Sequence, residues 1–422
     1  MRLLVRPSRI DGTIPSSPSK SYTHRAMVLA QLADGKSTLR RVLLSGDTIA
    51  TLHAIQLLGA EVTVEGDICT VKGGEFVCPE DVIDVENSGT TIRLIAGVAS
   101  LLPCITILTG DESIRRRPMQ PLIDALTEMG VYCVSTKGDG RAPLVIRGPN
   151  QGKVAHIRGD VSSQFISSLL ISSPLKEVDT DIILTTPLKS RPYVEITIEM
   201  MKRFGAECFE SQEGFHVPGN QEYRPCDYTI PGDYSSAAFP LVAGALAGKV
   251  SITGLDLEDR QGDKFILEIL EQFGAHVERY PSKITVSAGE LEGTDIDMSN
   301  SPDLFPIVSV LAAVAKGETK LYNAEHVRLK ESDRISTTAS FLKSMGAHIE
   351  EKKDGCLIRG PSKLRGTIVD SHSDHRILMA AAVAGLVAEG ETIITEGKCY
   401  EISYPSFLND MRALGASMEL IE

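Results

Sequence analysis

The chain has 422 residues, 42% of them hydrophobic and 23% charged, with a formal net charge of −13. That length exceeds what one hydrophobic core ordinarily serves and implies at least two domains, and the composition excludes a disordered chain. The acidic balance disfavours nucleic acid as a partner, because neutralising phosphates needs a basic surface, but it leaves room for a local basic cleft.

The opening segment, Met1–Arg9, carries three arginines and runs into Asp11-Gly12. It has neither the apolar core of a signal peptide nor the length of a transit peptide, so the cytoplasm is the expected location. The longest apolar stretch, Ile377–Ala388, is interrupted by Gly385 and falls short of the roughly 20 residues that cross a bilayer. No membrane association is expected. Eight cysteines (Cys69, Cys78, Cys104, Cys133, Cys208, Cys226, Cys356 and Cys399) show no paired or metal-ligand spacing and read as reduced, mostly buried thiols.

A phrase of hydrophobic, Gly, Ala and a later hydrophobic residue recurs along the chain. The copies are Leu58-Gly59-Ala60, Met129-Gly130-Val131 (a looser one), Phe204-Gly205-Ala206, Phe273-Gly274-Ala275, Met345-Gly346-Ala347 and Leu414-Gly415-Ala416. Each ends an amphipathic stretch such as Ile266-Leu267-Ile269-Leu270-Phe273, so the glycine predicts a helix C-cap followed by a strand. A second helix per unit is rich in small apolar residues, as in Ala237–Ala247 and Leu304–Ala315. Several of these lead through a glycine turn, at Gly35, Gly317 and Gly390, into a strand. Helices so uniformly apolar should be buried. The pattern predicts six helix-strand-helix-strand units in two sets of three. A polar, proline-bearing stretch at Tyr228–Gly232 marks the domain boundary, and a cleft between two domains is the natural ligand site.

Three helix starts combine small polar residues, two of them with cations: Ser19–Arg25, Asn87–Arg93 and Val161–Gln164. Free N–H groups and the positive end of a helix dipole favour phosphate or carboxylate there, although simple N-capping explains the same residues one by one. Arg115-Arg116-Arg117-Pro118 reads either as a ligand loop or as a solvated charge run. Arg328–Arg334 precedes a helix from Ile335 to Met345 and alone would pass for a salt-bridged turn. Ser373-Asp374-His375-Arg376 opens the most apolar helix of the chain, and an arginine at that mouth needs an anion or a carboxylate to meet it. His372 and His375 lack a third ligand nearby in sequence, so no metal is expected.

In order, Ser19-Lys20-Ser21, Asn87-Ser88-Gly89-Thr90, Arg117-Pro118, Ser162-Ser163-Gln164, Lys330-Glu331-Ser332-Asp333-Arg334 and Asp374-His375-Arg376 resemble the enolpyruvyl transferases over essentially the whole chain. The likeness is strongest to the branch that uses shikimate 3-phosphate. It implies an α/β (α+β) fold, a two-domain inside-out α/β barrel of six helix-strand repeats. Residues 1–13 with 230–422 would form one domain, and residues 14–229 the other. It implies transfer of the enolpyruvyl group of phosphoenolpyruvate to the 5-hydroxyl of shikimate 3-phosphate by addition and elimination, releasing phosphate, in the shikimate pathway to aromatic amino acids. These two small-molecule substrates are the implied partners; no metal or organic cofactor takes part, and the protein acts as a monomer.

By the same resemblance, Lys20, Ser21, Arg25, Ser162, Ser163, Gln164, Ser190, Asp303, His326 and Lys330 face shikimate 3-phosphate. Lys20, Gly89, Arg117, Gln164, Arg334 and Arg376 face phosphoenolpyruvate, and Asp303, Glu331 and Lys20 carry the proton transfers. The physics suits these residues: the two substrates together bring about six negative charges, since each phosphate has a second pKa near 6. Converging Arg and Lys can offset them in a dry site. A methyl at Gly89 should crowd small anions, including the herbicide glyphosate that the family's pocket admits.

Two positions depart from the family pattern. Ile402, in Ile402-Ser403-Tyr404-Pro405, stands where many relatives have a lysine, with Lys398 the nearest replacement, and His326 stands where Asn is common. The sister enzyme acting on UDP-N-acetylglucosamine has a reactive cysteine in the loop that here runs, without one, from Asp111 to Pro118. RNA 3'-terminal phosphate cyclases share a related repeat but need a basic surface. A catalytically silent binding protein of the same fold is favoured only by Ile402.

Overall fold

The computed structural model describes every residue from Met1 to Glu422. The chain forms two compact units, one comprising Met1–Ser17 with Pro231–Glu422 and the other Pro18–Ile230. Each has its own hydrophobic core.

Twelve helices alternate along the chain between two kinds. In the unit spanning 18–230 they are α1 (Lys20–Leu32), α2 (Gly46–Leu57), α3 (Gly89–Ala99), α4 (Gln120–Glu128), α5 (Ser163–Ser172) and α6 (Arg191–Arg203). The other unit holds α7 (Tyr234–Ala247), α8 (Ile266–Gln272), α9 (Phe305–Val314), α10 (Arg334–Ser344), α11 (His375–Gly385) and α12 (Phe407–Ala413). The odd-numbered helices are buried on nearly every residue; α3 and α11 are buried throughout. They contain few charges and many Ala, Gly and Ser, so they can be surrounded on all sides and packed closely. The even-numbered helices bury one face only. Each of them is followed by a glycine with φ between 84° and 108°, at Gly59, Gly130, Gly205, Gly274, Gly346 and Gly415. Only glycine adopts that backbone cheaply, and each cap turns the chain into an antiparallel strand.

The strands form six four-stranded sheets with one repeated pattern. Gly35–Arg40, for example, pairs in parallel with Tyr228–Thr229 on one side. On the other it pairs antiparallel with Ile68–Gly73, which in turn pairs with Glu61–Glu65. In the other unit the N-terminal segment supplies two sheets. Ile10–Pro15 lies parallel to Gly248–Thr253, and Arg2–Arg6 runs between Thr392–Ile394 and Ser417–Ile421. The fold is therefore mixed α/β, and the sixfold sequence repeat is a sixfold structural one. Two strands of each sheet go beyond the two per unit read from the sequence: a second middle strand, such as Ile68–Gly73, and the parallel edge strand. In four sheets that parallel edge is two residues long, as at Ile83–Asp84 and Ile296–Asp297.

Close helix packing positions the polar helix starts. A Cβ added at Gly97 in α3 would lie 2.5 Å from the Ser168 carbonyl oxygen of α5 and 2.6 Å from its hydroxyl. That hydroxyl donates to the Arg93 carbonyl at 2.6 Å, locking the two helices in register.

One expectation fails. Cys78 and Cys104 are joined in a disulfide, with Cα atoms 6.0 Å apart, so not all eight cysteines are thiols. Their separation of 26 residues carries no recognisable spacing, and proximity comes only from the tertiary fold. The other six are free. No helix is long and apolar enough to cross a membrane.

Candidate active site

The starts of the odd-numbered helices gather most of the candidate residues, in one cluster per unit. In the unit spanning 18–230, Lys20 opens α1 and its Nζ lies 2.7 Å from Asp47 Oδ2 on the first turn of α2. A capping box between Ser45 and Thr48 fixes that turn. Gly89 opens α3, where the Ser88 hydroxyl accepts from the Thr91 N–H at 3.2 Å. A Cβ at Gly89 would come within 2.5 Å of Arg117 Nη1 and 3.3 Å of Arg93 Nη1, so a side chain there first displaces Arg117. Arg117 is held by Asn87 Oδ1 at 3.2 Å and Ser113 Oγ at 3.0 Å.

At the start of α5, Ser162 caps by accepting from the Gln164 N–H, and Ser163 is buried. The Gln164 amide accepts from Arg93 Nη1 at 2.5 Å and donates to Thr90 Oγ1 at 2.7 Å, joining α3 to α5. Ser190 caps α6 in the left-handed region, with φ 54° and ψ 38°, a strained conformation for a residue other than glycine. Ser21 is half-buried, and its carbonyl accepts from Arg25 Nη1 at 2.9 Å. Arg25 lies deeper, hydrogen-bonded to Thr197 Oγ1, Ser167 Oγ and the Tyr193 carbonyl. Burial lowers its pKa to about 10, yet it stays cationic at neutral pH.

The cluster of the other unit centres on Arg334, the first residue of α10 and only 1% exposed. Nη1 donates to Asp303 Oδ1 at 2.7 Å, Nη2 to Glu331 Oε2 at 2.6 Å, and Nε to Asp374 Oδ2 at 2.9 Å. Arg376, in the first turn of α11, donates from Nη1 to the Ser235 carbonyl at 2.9 Å and from Nη2 to Asp303 Oδ2 at 3.3 Å. Lys330 Nζ stands 3.8 Å from Asp303 Oδ1. His326 is buried on the 3-10 turn Glu325–Leu329 just before Lys330.

Asp303 lies on the 3-10 turn that leads into α9 and does not cap that helix; its carboxylate is spent on the two arginines. Burial opposes its ionisation, but Arg376, Lys330 and Arg334 outweigh that cost and hold the carboxyl well below the usual range. The three carboxylates likewise raise the Arg334 pKa against its burial. The carboxylate that Arg376 needs at the mouth of its buried helix is Asp303.

The model of the family EPSP synthase (3-phosphoshikimate 1-carboxyvinyltransferase) matches residues 4–411. The chain belongs to the EPSP synthase family. It is 50% identical over 421 residues to the 3-phosphoshikimate 1-carboxyvinyltransferase of Methanocorpusculum labreanum, covering 99% of each chain. To the protein of the same name from Methanocaldococcus jannaschii it is 46% identical over 429 residues, covering the whole of both. Among solved structures, an EPSP synthase from Acinetobacter baumannii superposes with a TM-score of 0.83 at 27% identity over all of both chains. The enolpyruvyl transferase NikO from Streptomyces tendae shares the fold, with a TM-score of 0.80 at 18% identity over 99% of this chain and 98% of that one.

Within this member of the EPSP synthase family, several residues that sequence reasoning left without a role join the clusters. Asp47 holds Lys20, Arg93 holds Gln164, and Asp374 both caps α11 and holds Arg334. Arg93 and Asp374 stood inside motifs already singled out, but a helix-capping Asp looks the same in sequence whether or not it meets an arginine. Asp47 carried no signal beyond its place on a helix start. Ile402 is half-buried on the turn Cys399–Ile402, and Lys398 before it is exposed.

Proposed function

We propose that the chain transfers the enolpyruvyl group of phosphoenolpyruvate to the 5-hydroxyl of shikimate 3-phosphate, releasing phosphate, as a transferase of the shikimate pathway. The family membership supports the reaction, and the observation that ties it to residues is the Arg334 clamp, which presents Asp303 and Glu331 on one guanidinium.

In the addition step the substrate hydroxyl oxygen bonds to C2 of phosphoenolpyruvate. Its proton passes to Asp303, while C3 gains a proton from Glu331, which has to enter the cycle as the protonated acid. Elimination reverses both transfers: Glu331 recovers a proton from the new methyl group, and the C–O bond to phosphate breaks as the leaving oxygen takes the proton from Asp303. Asp303 is ionised and so able to accept a proton, and it gains the basicity the step needs as the substrate anions engage the cations that hold its pKa down. Lys20, Arg117, Arg334 and Arg376 offset the substrates' charge, and Gln164, Ser162, Ser163, Ser190, Ser21, Arg25, His326 and Lys330 complete the polar contacts with shikimate 3-phosphate. Gly89 leaves room for Arg117 beside phosphoenolpyruvate.

We further assign the cytoplasm as the location, a single chain as the working unit, and a reaction needing no metal or organic cofactor. The test is to mix the protein with both substrates in chelator-treated buffer and follow phosphorus resonances. A new enol ether phosphate and free phosphate are expected in equal amounts. Binding of both substrates without either product would favour the silent protein, and turnover of UDP-N-acetylglucosamine would favour the sister enzyme.

A further inference from the structure

Beside the Arg334 clamp lies a buried carboxyl that the reaction above does not use. Asp263 sits on the 3-10 turn Gly262–Phe265 and is 1% exposed. Its Oδ2 accepts from the Ser235 hydroxyl, and its buried Oδ1 has no hydrogen-bond partner. A carboxylate oxygen buried without a donor is costly, whereas a carboxylic acid leaves far less unsatisfied.

The turn that carries Asp263 also grips both neighbours of the catalytic cluster. Gln261 accepts from the Tyr234 N–H at 3.0 Å and donates to the Gly232 carbonyl at 2.8 Å, fixing the start of α7. The Gly262 carbonyl accepts from the Ser301 hydroxyl at 2.8 Å, two residues before Asp303. Ser235, held by Asp263 through its side chain, is the residue whose carbonyl accepts from Arg376.

The charged groups that act on Asp263 are Asp303 from the turn before α9, Arg376 from α11 and Asp233 from the cap of α7. Lys264, next in sequence, is turned away, with its Nζ held by the carbonyls of Leu257 and Asp259 at 2.7 Å each. Ser235 and Ser236 both bond the Asp233 carboxylate, which leaves Asp263 as the one carboxyl of this group with an unbonded buried oxygen.

Granting the transferase activity above, we propose that Asp263 is a positioning residue that works as a neutral carboxylic acid. Through Ser235 it sets the α7 start so that Arg376 rests on Asp303 and on the substrate anion. Once ionised, it competes for Arg376 and loosens that placement. Burial first, and then the Asp303 charge, push its pKa up to about 7, so the switch falls in an accessible range.

Two measurements test this. The first is kcat/KM for phosphoenolpyruvate against pH, read by phosphate release, for the wild type and Asp263→Asn. In the wild type it should fall above about pH 7, approaching tenfold per pH unit if the ionised form is inactive, and Asp263→Asn should lack that limb while matching the wild type below it. The second is thermal stability, which needs no substrate. A carboxyl whose folded pKa lies above its unfolded value loses stabilisation as pH rises from the unfolded pKa through the folded one. The wild-type Tm should therefore fall relative to that of Asp263→Asn between pH 4 and pH 8. Parallel pH profiles, or a uniform drop in activity with no pH-dependent difference in Tm, overturn the proposal. An enzyme inactive on both substrates would instead overturn the assigned reaction, and the Tm comparison would still decide the state of Asp263.

Discussion

The two clusters solve the problem of buried charge in opposite ways. In the unit holding Arg334, each buried arginine is met by carboxylates, and Arg334 alone bonds Asp303, Glu331 and Asp374. In the unit spanning 18–230, buried Arg25 is instead bonded by the hydroxyls of Thr197 and Ser167 and the carbonyls of Ser21 and Tyr193, while Lys20 pairs with Asp47. Neutral partners fix the Arg25 guanidinium without cancelling its charge, so it keeps its attraction for phosphate and carboxylate. Paired carboxylates instead give the first cluster groups whose protonation can be set by their neighbours. Under the proposed reaction, one unit would mainly receive anions and the other would move protons.

The sharpest way to break this comparison is to neutralise Asp303. Asp303→Asn keeps the shape but removes the base, and kcat should drop by about 10²–10⁴-fold with the fold retained, as measured by phosphate release and circular dichroism. An unchanged kcat would remove the first cluster from the chemistry. Next comes Arg334→Lys, in which an ammonium cannot reach three carboxylates in one plane. Stranding buried charges in this way should cost about 3–5 kcal/mol in urea unfolding. The same change at Arg25, whose partners are all neutral, should cost less.

Gly97→Ala sharpens the packing half of the comparison. Its methyl meets the Ser168 carbonyl and should cost about 1–3 kcal/mol. It should also weaken phosphoenolpyruvate binding by shifting Arg93 against Gln164. The smallest expected effect concerns Lys176, which is buried and bonded to Asn150 Oδ1 and the Gly152 carbonyl. Burial lowers its pKa to about 8, below its unfolded value, so the unfolded chain binds the extra proton. Stability should rise slightly as pH goes from about 8 to 10, and Lys176→Gln should abolish that rise.

Much of the fold is legible in the sequence because its controlling signals are local. Glycine caps such as Gly59 and Gly346 and apolar helices such as α11 announce themselves by period and residue type. The two-residue edge strands are not legible, since Ile83–Asp84 has no pattern long enough to read and exists only because Leu108 and Thr109 lie beside it. The candidate site divides the same way. Residues in motifs at helix starts could be named, whereas Asp47, Asp374 and Asp263 acquire their partners from elements 27, 40 and 28 residues away. The disulfide between Cys78 and Cys104 was hidden for the same reason.

The proposed reaction assigns both Arg117 and Arg376 to phosphoenolpyruvate. Phosphate release at varied phosphoenolpyruvate and saturating shikimate 3-phosphate, for the wild type, Arg117→Gln and Arg376→Gln, tests it directly. Each substitution should lower kcat/KM for phosphoenolpyruvate by at least about tenfold, the loss expected for one charge-assisted hydrogen bond. An unchanged kcat/KM in either variant would show that its arginine does not meet that substrate and would contradict the account.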